Sequence, residues 1–159
     1  MTLLYFKIES INMTDNEFVK FAKKWAKLVC EYKKYYSKNS IMIPDRILKD
    51  YVISLDSSLV ENPYTKNSAG KPVPPSYDFS DNNGNTRIEL KSSYSYKSCP
   101  FSSNQKACQR IIYINITLTQ IDIYEIDSNE VKNINNDVSN QINFSKYMNN
   151  AKILKSIVI

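Results

Sequence analysis

Residues 78–93 read Asp78-Phe79-Ser80-Asp81-Asn82-Asn83-Gly84-Asn85-Thr86-Arg87-Ile88-Glu89-Leu90-Lys91-Ser92-Ser93. The order is an acid, a tight polar turn and then a strand. From residue 87 the residues alternate: Arg87, Glu89, Lys91 and Ser93 share one face, and Ile88 and Leu90 share the other. The apolar face predicts burial in a core. On the other face Glu89 and Lys91 lie roughly 6–7 Å apart along the strand, and Asp78 can close on them across the turn. Two carboxylates and a lysine converging at a strand end make a site for a hard cation with a positive charge beside it. Asp81, inside the turn, reads as a turn former.

Outward from this stretch, the flanking elements predict a small mixed sheet with helices. Thr14-Asp15-Asn16-Glu17 fits a capping box, and apolar residues from Phe18 to Tyr36 recur at helical spacing with lysines between them. This predicts a helix from residue 14 to about 37, its lysine face solvated, part of a dimer seam or turned to phosphates. Pro44 fits the first position of a second helix carrying Ile47, Leu48, Tyr51, Val52, Leu55 and Leu59 and ending by Asn62-Pro63. Residues 64–76, with prolines, a glycine and two lysines, predict an exposed loop leading into Asp78.

Downstream, a short helix is expected at 103–108. Strands are expected at about 110–118 and 121–127, because the apolar phase slips between Leu118 and Ile121. Asp127-Ser128 caps a short helix through Ile134, residues 135–143 read as loop, 145–155 as weakly helical, and 157–159 as a closing edge strand or tail. Residues 2–8 give a weak strand signal. The expected fold class is α/β, with α+β as the other option. One domain spans 1–159: a helical part at 14–62, a catalytic sheet at 77–127 and a C-terminal helix and tail at 128–159.

Composition narrows the chemistry. The chain of 159 residues has no histidine. That excludes Ser-His-Asp and Cys-His catalysis and histidine-ligated zinc. Hydrolysis, if it occurs, runs on carboxylates, lysine, tyrosine and a hard metal. Three widely spaced cysteines predict reduced thiols. The net charge of +5 suits a polyanionic partner, although a genome biased toward Lys, Asn, Ile and Tyr codons would produce the same excess. No apolar run is long enough for a membrane span. Met1 to Ile11 lacks the layout of a signal peptide, so the cytoplasm is the expected compartment.

Glu-x-Lys occurs three times, at Glu31, Glu89 and Glu130. The first falls inside the long helix and the third follows a helix cap, and both read as solvated charges. Only Glu89-Leu90-Lys91 lies on a strand with an apolar back face. Cross-strand ion pairs on an exposed edge are the structural alternative.

Asp78, followed across a turn by Glu89-Leu90-Lys91-Ser92 on a strand, resembles the active-site signature of the PD-(D/E)xK nuclease superfamily, and most nearly that of small type II restriction endonucleases. The residue before Asp78 is Tyr77 rather than proline. The resemblance implies a restriction-endonuclease-like core. It implies that Asp78 and Glu89 bind Mg²⁺, or Mn²⁺ as a substitute, with the Leu90 carbonyl as a further ligand. Lys91 would then orient or deprotonate the attacking water and stabilise charge on the phosphate. An oxygen-only donor set agrees with such a metal independently. Some relatives carry an extra acid on the preceding helix, for which Glu61 and Asp50 are the candidates.

The implied activity is site-specific hydrolysis of double-stranded DNA, with a homodimer to cut both strands of a palindrome and a cognate DNA methyltransferase in the same system. Base and backbone contacts are expected from Lys66, Lys71, Lys97, Asn104, Gln105 and Lys106. The alternatives are another nuclease of the superfamily, acting in repair, in phage or on RNA, and a non-catalytic basic nucleic-acid-binding module.

Overall fold

The computed structural model describes residues 13–35, 43–73, 75–95, 98–100, 108–134 and 141–159. Helix α1 spans Asp15–Tyr35. Its start is the predicted capping box: the Thr14 N–H and hydroxyl donate to Glu17 Oε2 at 2.9 and 2.8 Å, and the Glu17 N–H donates to Thr14 Oγ1 at 3.4 Å. The helix buries Phe18, Ala22, Trp25, Ala26 and Val29 and leaves Lys20, Lys23, Lys24 and Lys27 exposed. Helix α2 spans Asp45–Leu55. It packs Tyr51 against Phe18 with ring centroids 3.8 Å apart, and the Tyr51 hydroxyl donates to Asp15 at 2.8 Å.

The strands are β1 (Leu59–Glu61), β2 (Thr65–Lys66), β3 (Pro72–Val73), β4 (Phe79–Asp81), β5 (Arg87–Tyr94), β6 (Cys99–Pro100), β7 (Arg110–Ile116), β8 (Gln120–Asp127), β9 (Gln141–Ile142) and β10 (Lys152–Val158). Helix α3 (Ser128–Ile134) follows β8. Six strands form one mixed sheet in the order β1-β4-β5-β7-β8-β10. β5 and β7 run parallel, with Glu89 opposite Ile111 and Lys91 opposite Tyr113, and the remaining pairs are antiparallel. The class is α/β, as the alternation of elements predicted.

Cores lie on both faces of the sheet. Ile88, Leu90, Ile112, Ile114, Ile116, Ile121 and Ile123 pack against α1 and α2. On the other face Ile111, Tyr113, Tyr124 and Ile126 pack with Cys99, Cys108, Val131, Phe144 and Tyr147. β7 is therefore buried on both sides, as a strand in a parallel pairing usually is. Each fully buried isoleucine contributes about 1.5–3 kcal/mol, which makes β7 the axis of the molecule. The three cysteines are free thiols, as expected. Among the described residues, no helix is long and apolar enough to cross a membrane.

Several sequence expectations are corrected. The second helix stops at Leu55 rather than near residue 62, and 59–61 form strand β1. The break is local: Asp56 Oδ1 accepts the Ser58 N–H at 3.0 Å and the Ser58 hydroxyl at 2.5 Å, an Asx turn that competes with another helical turn. Pro44 caps the helix instead of opening it. The loop at 64–76 contains a hairpin, β2–β3, closed by Asn67, whose Oδ1 accepts the Ala69 and Lys71 N–H groups at 3.0 and 2.9 Å. Residues 141–142, expected as loop, pair with β6. Residues 145–155, expected as weak helix, hold a 3₁₀ turn at Phe144–Tyr147 and then edge strand β10. There Lys152, Ile153 and Lys155 pair with Glu125, Tyr124 and Ile123 of β8, so backbone pairing at the sheet edge outweighs a marginal helical pattern. The expected strand at 2–8 and helix at 103–108 lie outside the described residues, the latter apart from Cys108.

Candidate active site

The turn between β4 and β5 is built by Asp81. Its Oδ1 accepts the Asn85 and Thr86 N–H groups at 2.8 and 3.2 Å, and its Oδ2 accepts the Thr86 hydroxyl at 2.8 Å. These bonds hold its carboxyl below the ordinary aspartate value, the Thr86 hydroxyl first among them. Gly84 takes φ +70°, a backbone region that other residues enter only with strain. Asp81 is thus the turn former the sequence indicated, and its oxygens are occupied within the turn.

The hairpin brings Asp78 beside the middle of β5. Asp78 Oδ2 accepts the Leu90 N–H at 2.9 Å. A strand residue directs its N–H and C=O to the same side, so the Leu90 carbonyl faces the same side of β5 as Asp78. Glu89 is 3 % exposed, and the Lys91 ammonium donates to its Oε1 at 2.8 Å. Burial first, and then the negative charge of Asp78, push the Glu89 carboxyl up to about 7, while Lys91 and Lys49 pull it down. The negative charge of Asp78 thus reaches Glu89, the direction in which the sequence allowed Asp78 to close.

Lys49 was not singled out in the sequence. It comes from α2, its side chain is 4 % exposed, and its ammonium lies 3.0 Å from Asp78 Oδ1, 3.1 Å from Asp45 and 3.7 Å from Glu61. Burial lowers the affinity of Lys49 for its proton, but Asp78 and then Asp45 more than compensate, so it stays firmly charged. α2 covers the Ile88–Leu90 face of β5 and Lys91 projects from the opposite face. The carboxylate pair is thus flanked by one lysine from each layer. The only advance signal for Lys49 was its spacing of four from Asp45.

Of the two candidate extra acids, Glu61 stands on β1 rather than on a helix, bound by Arg46 at 2.9 Å and near Lys49. Asp50 is buried on α2 and paired with Arg46 at 2.5 Å, so its bond is to that guanidinium rather than to the carboxylate pair. Lys66 and Lys71 are exposed on the β2–β3 hairpin. Lys97, Asn104, Gln105 and Lys106 lie outside the described residues.

Among the described residues, no three His, Cys, Asp or Glu side chains cluster closely enough to hold a metal by themselves. The oxygens grouped around Leu90 are the carboxylate of Asp78 on its N–H, that of Glu89 next to it in the chain, and its own carbonyl. Mg²⁺ commonly binds through one or two carboxylates and keeps several waters, so this set fits it. The ammonium of Lys49 against Asp78 is a second sign that the position favours a cation. Comparison with protein-family models, with curated proteins and with solved structures finds no match for this chain.

Proposed function

We propose that the chain is a Mg²⁺-dependent DNA endonuclease of the PD-(D/E)xK type, acting at specific sites in double-stranded DNA. The observation that carries this reading is the bond from the Leu90 N–H to Asp78 across the β4–β5 turn, next to Glu89 with Lys91 on it. Asp78, Glu89 and the Leu90 carbonyl would hold the ion, which would supply charge neutralisation at phosphorus and a more acidic water. Lys91 orients the attacking water and adds a fixed positive charge beside the phosphate. Water adds to phosphorus, one P–O ester bond breaks, and the products are a phosphomonoester and a hydroxyl. Lys66 and Lys71, exposed on the hairpin that leads into Asp78, meet backbone phosphates and position the duplex without reading bases. A homodimer places two such sites on the two strands. The cytoplasm and a partner methyltransferase follow from the same reading.

The test is digestion of plasmids of varied sequence with clean protein in Mg²⁺. Discrete bands that disappear with chelator are expected. A smear, or a preference for single strands or ends, would move the substrate to another nuclease class. Absence of cleavage across substrates and salts, with binding that survives loss of Glu89 and needs no metal, would replace the reading with a basic binding module.

A further inference from the structure

Both oxygens of Asp78 already have protein donors: the Lys49 ammonium at 3.0 Å on Oδ1 and the Leu90 N–H at 2.9 Å on Oδ2. An ammonium has three donor hydrogens, and three carboxylates surround this one: Asp78, Asp45 at 3.1 Å and Glu61 at 3.7 Å. The side chain is buried, so its charge cannot retreat into water without moving α2. It can shift its weight between Asp78 and the other two acids. A divalent cation on Asp78 shares this carboxylate with Lys49 and brings two positive charges next to a third in a poorly solvated place.

We propose that Lys49 is a tethered cation that competes with the metal for Asp78 and is passed to Asp45 and Glu61 when the ion binds. This rests on the reading of Asp78 and Glu89 as a hard-cation site. Lys49 is then a positioning residue that sets how readily the site fills, and Glu61 acts as its resting place rather than as a metal ligand. By its place in the sequence Glu61 is a candidate for an extra metal-binding acid. The contact with Lys49 and the bond to Arg46 at 2.9 Å give it this other role.

The experiment is calorimetric titration of the full chain with Mn²⁺ alone, without DNA, at pH 8, with thermal melts to verify folding. Lys49→Gln should tighten Mn²⁺ binding about tenfold, because the competitor is gone. Glu61→Gln should weaken it several-fold, because Lys49 loses one of its alternative partners. In the Lys49→Gln background, Glu61→Gln should change nothing further. Unchanged or weaker binding by Lys49→Gln overturns the proposal. So does an equal loss from Glu61→Gln in both backgrounds, which would make Glu61 a ligand. If Lys49→Gln fails to fold, Glu61→Gln alone decides, and unchanged affinity refutes the idea. Asp78→Asn separates the two levels. If wild-type binding is lost in Asp78→Asn, the metal site stands whatever Lys49 does. If wild-type protein binds no Mn²⁺, the metal site and this proposal fall together.

Discussion

Glu89→Gln will make the metal-free protein more stable at pH 8 and, if the proposed nuclease reading holds, leave it unable to cleave DNA. In the unfolded chain Glu89 titrates near its ordinary 4.5, and in the folded chain at about 7. Between those values the folded state binds a proton that the unfolded state has released. Stability contributed by this group is therefore greatest below about 4.5, falls as pH rises to about 7, and stays lost above that. The shift sets an upper bound of about 3 kcal/mol. Coupling to Asp78, and the weaker bond that Lys91 makes to an amide, reduce the expected gain in Glu89→Gln to about 1–2 kcal/mol. For a chain of this size that raises Tm by roughly 3–6 °C. Melts of both proteins in chelator at pH 5 and pH 8 would show it: near-equal at pH 5, with the variant ahead at pH 8. A variant less stable than wild type at pH 8 would mean that Lys91 and Lys49 already compensate the buried charge in full.

Asp78→Asn and Lys91→Met should each lower the cleavage rate about a thousandfold or more while leaving duplex binding nearly intact. Asparagine keeps an acceptor for the Leu90 N–H at 2.9 Å, so the hairpin is preserved, while the charge and the acceptor facing the Lys49 ammonium are lost. An alanine there would strand that N–H and the Lys49 ammonium and mix a folding defect of about 1–3 kcal/mol into the result. Methionine at 91 keeps most of the stem of the side chain and removes the charge. Single-turnover cleavage at saturating Mg²⁺, beside a binding assay at the same salt, separates the effects. Either variant keeping more than about a tenth of the wild-type rate would remove that residue from the chemistry.

The parts of this molecule that were legible in the sequence are those whose signal is local. The capping box of α1 needs only Thr14 and Glu17, and both bonds are present. The alternation from Arg87 to Ser93 is a property of one strand, and it placed Ile88 and Leu90 in the core and Glu89 and Lys91 on the other face. Asp81 is satisfied by residues within its own turn. β1 and the first part of β10, before residue 157, were missed because three residues, or a bulged edge strand, have little periodicity of their own and are defined by their partners β4 and β8. Lys49 was missed for the same reason. It lies beside the apolar stripe of α2, where a lysine ordinarily reaches solvent, and its burial depends on acids from β1 and the start of β4 that no window around residue 49 contains.

The β4–β5 hairpin also sets an order of events during folding. Asp78 meets Leu90 across a separation of 12 residues, and hairpins of this kind close in about 1–10 μs. The parallel pairing of β5 with β7 must first bring Ile88 to Arg110 through a crossover, and α2 must dock before Lys49 reaches Asp78. Such long-range contacts form late. Where the hairpin closes before α2 docks, Asp78 reaches Leu90 with no ammonium yet on it. A divalent ion present during refolding should enter at that stage without displacing anything. Refolding in Mn²⁺ is expected to load the site faster than adding Mn²⁺ to the finished protein. Equal loading rates would show that α2 docks as early as the hairpin closes.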